Sequence, residues 1–450
     1  MIGLELALIV FALMLLAIFL RVPIAIAMGF AGFIGSWIVL GRPAPMLSQM
    51  KTLGFDTFSN YSLSIVPLFL LMGNFATRSG MSAALFEAAS DWIGHRKGGI
   101  AIASVGACAG FGAVCGSSLA TASTMGQVAL PEMKKRGYSD ALATGVLAAG
   151  GTLGILIPPS VILVIYAILT EQNIVKMFMA AMIPGLLAAL GYMITVAIYV
   201  RIFPNSAGTA ERVPYRQRFK TLARVWPVVV IFGLVIGGIS ADWDWTKNGV
   251  QALFTPTEGA AFGVVATALY GILTGGLTWR GFWDSVLSSA NSSAMIFLII
   301  LGAQMFNSFL ALTQSPQLLA DWVNMQGYTP LTILALMLLF YLVFGCVMDS
   351  LSMILLTIPI FFPIIQSLEF GLTPEETAIW FGILALIVVE VGLITPPVGL
   401  NLFIINSLDR DVAMIETYKG VVPFVLSDLI RVVVLVAFPG LTLWLVGVIF

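Results

Sequence analysis

Gly392-Leu393-Ile394-Thr395-Pro396-Pro397-Val398-Gly399-Leu400-Asn401 interrupts the apolar run Ile379 to Ile405, where a continuous membrane helix would otherwise be expected. Each proline removes a backbone donor, and Pro397 pushes its predecessor out of the helical region. The helix is therefore expected to break here. Within a bilayer, broken backbone is tolerated only where it faces protein or a wet cavity. The same device recurs as Gly154-Ile155-Leu156-Ile157-Pro158-Pro159-Ser160, inside the run Ala141 to Leu169. Two matched breaks in the two halves of one chain point to a binding site near the bilayer midplane.

Composition supports that reading. Of the 450 residues 59% are hydrophobic and 10% charged, with a mean hydropathy of +1.02; a soluble globular domain carries about 25% charged residues. This is the composition of an all-α polytopic membrane protein in contact with lipid. The net charge of −1, with no long basic block, leaves nothing to hold nucleic acid. Cys108, Cys115 and Cys346 lie in apolar segments with no metal-binding spacing. The only histidine, His95, sits in a polar connector. No HExxH, P-loop or GxSxG motif is present, so no enzyme is expected, and any pumping must use an ion gradient or a partner. Ile2–Leu20 lacks the basic leader and cleavage site of a signal peptide and reads as the first span.

A helical span needs about 20 apolar residues. Expected spans are Ile2–Leu20, Val22–Leu40, Tyr61–Ala76, Ala141–Leu169, Met177–Val200, Val225–Ala241, Gln251–Leu277, Ser292–Leu312, Ile379–Ile405 and Val421–Phe450. Gly98–Pro131 has 34 uncharged residues, a flexible middle at Gly112–Ser118 and basic residues on both flanks. It reads as a re-entrant helical hairpin with its tip near Ser117-Ser118, two short crossings being the alternative. Thr329–Leu368, centred on Asp349-Ser350, is long enough to cross twice; its reading as a second hairpin rests on internal symmetry. With the amino terminus outside and both hairpins re-entrant, sixteen basic residues fall inside and four outside, a strong positive-inside bias. The carboxyl terminus then also lies outside.

The symmetry is a weak repeat. Gly73 pairs with Gly302, Asp91-Trp92 with Asp321-Trp322, Ser118-Leu119 with Ser350-Leu351, Pro131 with Pro363, Pro158-Pro159 with Pro396-Pro397, and Pro184 with Pro423. The offset grows from 229 to 239 without reversing. The first unit enters from outside and the second from inside, the inverted pattern of many secondary transporters. The chain thus divides into amino-terminal helices (1–60), a first repeat (61–200; hairpin about 98–133, broken helix 141–169), a central segment (201–290) and a second repeat (291–450; hairpin 329–368, broken helix 379–405). Ser82–Ile93 and Gln317–Met325 are short, amphipathic and suited to the membrane surfaces. Asp242-Trp243-Asp244-Trp245 reads as an outside loop.

Each break ends one half-helix and starts another, exposing carbonyls that suit a cation and N–H groups that suit an anion. The carbonyls belong to stretches containing Gly154, Pro158, Gly392 and Pro396. Ser117, Ser118, Ser160, Ser350 and Thr395 add hydroxyls, Asn401 an amide and Asp349 a carboxylate. Hard oxygens with few charges suit a monovalent cation such as Na⁺ and not a transition metal. Each cation position would pair a hairpin tip with the break of its own repeat. Ser117, Ser160, Ser350 and Thr395 are also candidates to bind substrate. Glu390 is a weaker candidate, and Asp428 and Arg431 are placed to pair with each other.

Three motifs carry a family resemblance: Met348-Asp349-Ser350-Leu351-Ser352-Met353-Ile354-Leu355-Leu356-Thr357-Ile358-Pro359, Gly392–Asn401, and Phe254-Thr255-Pro256-Thr257-Glu258. Together they resemble the large membrane subunit of tripartite ATP-independent periplasmic (TRAP) transporters over essentially the whole chain. Cys115 departs from the small residue expected at the first hairpin tip. The resemblance implies an elevator-type secondary transporter in the bacterial inner membrane, driven by Na⁺. It also implies a small four-helix membrane subunit, encoded separately here, and a periplasmic substrate-binding protein that delivers an organic acid such as a C4-dicarboxylate or sialic acid. A stand-alone Na⁺/dicarboxylate symporter of related fold is the alternative; a channel or scaffold would lack saturable, Na⁺-dependent uptake.

Overall fold

The computed structural model describes residues 2–240 and 253–450, and every regular element among them is helical. The elements are α1 (Ile2–Phe19), α2 (Ile24–Leu40), α3 (Ala44–Ser59), α4 (Ile65–Arg78), α5 (Met81–Ile93), α6 (Gly99–Cys115), α7 (Ser118–Lys135), α8 (Asp140–Leu156), α9 (Val161–Leu169), α10 (Ile174–Ile202), α11 (Tyr215–Ala223), α12 (Trp226–Ser240), α13 (Pro256–Leu273), α14 (Trp279–Thr313), α15 (Ser315–Met325), α16 (Pro330–Gly345), α17 (Ser350–Gln366), α18 (Pro374–Gly392), α19 (Leu400–Leu408), α20 (Met414–Ala437) and α21 (Gly440–Ile449). One series occurs twice, as α4–α10 and as α14–α20: a helix, a short helix, a hairpin, a broken helix and a long helix.

Among the described residues, α10, α14 and α20 are each long and apolar enough to cross a membrane alone; α8 with α9, bent by 45°, qualifies as a pair. Several expected boundaries move. The run Val421–Phe450 is two helices, because Pro439 has no N–H to continue the ladder beyond Ala437. α14 starts at Trp279 instead of Ser292, its first turn capped by Thr278. α3 was not expected; its exposed Lys51 and Asp56 mask an amphipathic helix with Met46 and Thr57 on the buried side. The basic connector 204–224 contains α11, whose Phe219 packs edge-on against Trp92 of α5. The Asp242–Trp245 loop lies outside the described residues. Glu258 completes a capping box with Thr255 at the start of α13.

Two packed groups emerge. In one, α2 lies along α14, with Gly32 against the Met305–Phe306 backbone and Gly302 against Ala25, and α13 lies against α4. The other holds both hairpins and both broken helices around α8 and α18. Every residue from Ala141 to Leu156 and from Thr377 to Gly392 is buried, as expected of helices apolar all round. Here the repeats interlock. Gly126 of α7 lies against Ile405 and Leu408 of α19, and α17 packs on α9. The Tyr166 hydroxyl of α9 donates to Ala378 O at 2.6 Å. Lys134, near the end of α7, pairs with Asp409 at the end of α19.

Candidate ion and substrate site

The first hairpin turns at Gly116, whose φ of +63° favours a residue without Cβ. Ser117 follows in extended conformation and caps α7, its Oγ accepting from Ala120 N at 3.4 Å. The second hairpin turns at Cys346–Met348, and Asp349 caps α17. The broken helices part at 157–160 and 393–399. Ser160 caps α9, whereas Gly399 (φ +65°) starts α19 without a side-chain cap. Pro158-Pro159 and Pro396-Pro397 are joined by cis bonds in both repeats.

Tip and break of the same repeat meet, through paired glycines. A Cβ on Gly112 of α6 would lie 2.5 Å from Gly154 Cα of α8; a Cβ on Gly392 of α18 would lie 2.5 Å from the Gly345 carbonyl carbon of α16. Bare backbone on both sides lets each hairpin arm close on its broken helix. In the first repeat, Gly154 therefore faces Ser117 O and Thr121 Oγ1, and Gly116 faces Pro159 O at 3.0 Å from its ideal Cβ. In the second, Gly399 N donates to Cys346 O at 3.0 Å. Asn401 joins the repeats: its Nδ2 donates to Ala148 O of α8 at 3.3 Å.

The candidate side chains have unequal freedom. Among the described residues Asn401 Oδ1 is a buried oxygen without a hydrogen-bond partner, and Thr121 Oγ1 has only the neighbouring Cys115 thiol. Such oxygens are rare unless water, an ion or a ligand completes them, and both fit a small hard cation. Ser118 and Ser350 are buried at the two tips. Asp349 is committed locally: Oδ1 accepts from Ser352 Oγ at 2.6 Å and Oδ2 from Ser352 N at 3.1 Å. Thr395 Oγ1 bonds back to Val391 O at 2.6 Å. Ser160 is fully buried, its hydroxyl capping α9. Pro158 is buried as well, while Thr395 is half-buried and Pro396 exposed. The first break is thus enclosed and the second opens to the surface, where Tyr418 of α20 donates to Pro397 O at 2.7 Å.

Two features escaped sequence reading or were undervalued by it. Thr121 lay one turn beyond the tip motif, and nothing local distinguished it. Glu390 is 1% exposed and bonded to Ser350 Oγ at 2.5 Å, so it belongs to the second tip. Arg431 and Asp428 do pair, at 2.9 Å, within a buried network: Tyr192 donates to Asp428 Oδ2 at 2.7 Å and lies 3.0 Å from Thr152 Oγ1.

The fold and sequence comparisons agree with this architecture. The chain resembles a solved Alcanivorax borkumensis YdaH transporter with a TM-score of 0.63 and 14% identity, covering 88% of this chain and 89% of that one. That likeness concerns fold alone. The C4-dicarboxylate TRAP transporter large permease protein DctM of Pseudomonas aeruginosa is 34% identical, over 86% of this chain and 87% of its own. The sialic acid TRAP transporter large permease protein SiaM of Vibrio cholerae is 30% identical, over 86% of each. The family model described as tripartite ATP-independent periplasmic transporter, DctM component, matches residues 10–441. With that match across nearly the whole chain, this protein belongs to the DctM family of TRAP transporter large membrane subunits.

Proposed function

We propose that this subunit carries out Na⁺-coupled import of an organic acid, of the C4-dicarboxylate or sialic acid class, across the bacterial inner membrane. A periplasmic binding protein delivers the substrate, and a small membrane subunit completes the transporter. Both termini face the periplasm, the hairpins are re-entrant, and the two repeats are inverted. The group holding both hairpins moves as an elevator against the group built on α2, α4, α13 and α14.

The observation that carries this reading is the pairing of each hairpin tip with the break of its own repeat, beside the buried oxygens of Thr121 and Asn401. Na⁺ bound at Ser117 O, Thr121 Oγ1 and the carbonyls around Gly154 and Pro158 would hold the first tip closed. The second position draws on Cys346–Ser350 and the carbonyls around Gly392 and Pro396. Half-helix amino ends and tip hydroxyls then receive the substrate carboxylate. Ordering a tip with Na⁺ raises substrate affinity only because the ion prefers the ordered state.

Reconstitution in proteoliposomes tests the function. Succinate and sialic acid uptake is expected only with the small subunit, a cognate binding protein and an inward Na⁺ gradient all present. Uptake by this chain alone would instead establish a stand-alone symporter. Thr121→Val, which keeps shape and removes the oxygen, is expected to raise the half-saturating Na⁺ concentration about tenfold, the loss of about 1.4 kcal/mol; unchanged Na⁺ activation removes Thr121 from the site.

A further inference from the structure

Glu390 lies on α18 between the two repeats and is almost completely buried. Its Oε1 accepts from Ser350 Oγ of the second tip at 2.5 Å. Ser118 of the first tip lies near it, and Asp349 and Asp428 are close enough to act on it electrostatically. Its Oε2 has no partner among the described residues. The neighbouring acids are already engaged: Asp428 by Arg431 and Tyr192, Asp349 by Ser352. Of these three acids, Glu390 is the one that keeps a carboxylate oxygen turned into the protein without a donor or a cation among the described residues.

A buried carboxyl in that setting is either neutralised by a proton or matched by a compensating cation. The two serines around it are adaptable, because a hydroxyl that donates in one rotamer presents its lone pairs in another. One carboxylate oxygen and two hydroxyls, one from each hairpin tip, form a hard-oxygen set that a small cation prefers over softer metals. This set differs from the tip-and-break positions, each of which lies within one repeat.

We propose that Glu390 Oε2, Ser118 Oγ and Ser350 Oγ form a central position for a monovalent cation, shared by both repeats and additional to the two tip-and-break positions. The proposal rests on the Na⁺-coupled reading above. An ion here gives the two tips a common ligand, so closing one favours closing the other. It also neutralises Glu390 during the passage of the loaded site.

The test uses the complete transporter with its small subunit and binding protein, reconstituted in proteoliposomes, with ²²Na⁺ and substrate uptake measured together. Glu390→Gln keeps an oxygen to accept from Ser350 but removes the charge. It is expected to lower the Na⁺-to-substrate ratio by one ion and to flatten the Na⁺ activation curve. An unchanged ratio and curve, in a wild type that does carry Na⁺, overturns the central position and leaves Na⁺-coupled transport standing. A wild type with substrate uptake but no Na⁺ flux overturns both. Should Glu390→Gln fail to fold, Glu390→Asp keeps the charge on a shorter arm: it is expected to retain the ratio with a several-fold higher half-saturating Na⁺ concentration, and an unchanged half-saturation overturns the proposal.

Discussion

Arg431 is a guanidinium only 7% exposed in a helix otherwise rich in valine and leucine, tied to Asp428 one turn earlier. Removing one member of such a pair leaves a buried charge uncompensated and costs about 3–5 kcal/mol, whereas replacing both with apolar residues is often near neutral. Asp428→Leu is therefore expected to lower the thermal unfolding midpoint of the detergent-purified protein more than Asp428→Leu with Arg431→Leu; equal losses would show that the pair is not electrostatically coupled. His95, at the opposite extreme, lies in a connector, and its pKa is held below the ordinary 6.5 by desolvation and then by Arg218, Arg212 and Arg96. It is the only histidine in the chain, so one labelled imidazole signal reports it. In Arg218→Gln that signal is expected to titrate at higher pH, because a neighbouring positive charge no longer opposes protonation. The Asp428–Arg431 pairing was legible in sequence because both partners are one turn apart on one helix. The importance of Glu390 was not, because Ser350 and Ser118, which face it, are remote in sequence and reach it only through folding.

The broken helices and the first hairpin announce themselves locally. Prolines withdraw donors, glycines permit left-handed turns, and serine or aspartate starts the next half-helix. The docking of these elements left no such signature. Gly112 with Gly154, and Gly345 with Gly392, are ordinary glycines in a chain holding 44 of them until the fold sets them face to face. Gly392→Ala is expected to destabilise by about 1–3 kcal/mol, the usual cost of overpacking, and to reduce uptake by displacing the second tip. Gly233→Ala in α12 is the control: its added methyl meets nothing within 4 Å, and alanine is the better helix former. Thermal unfolding and uptake of the two variants check the contrast; equal behaviour would mean that the second tip does not depend on this contact.

The whole molecule is organised by exchange between repeats. The second arm of each hairpin rests on the second half of the other repeat's broken helix; Lys134–Asp409 fastens the first of these crossings, and Tyr166–Ala378 ties α9 to α18. A disulfide between Gly126→Cys and Leu408→Cys, in a chain freed of Cys108, Cys115 and Cys346, is expected to form without abolishing uptake, because the proposed elevator carries both sites in one group. Loss of uptake on oxidation, restored by reduction, would place a sliding surface between α7 and α19 and contradict the proposed elevator.

Composition and punctuation alone were enough to read a helical membrane protein with two broken helices and a first hairpin, whereas the second hairpin rested on the internal repeat. These are local or additive properties: the cost of burying charge, the missing N–H of proline, the steric freedom of glycine. Other features were decided only by the tertiary structure. They include the enclosure of the first break and exposure of the second, the Asn401 bond to Ala148, and the bond of Ser350 to buried Glu390. Each of these depends on contacts between residues far apart in sequence, whose energies exist only once α8 and α18 pack together at the centre.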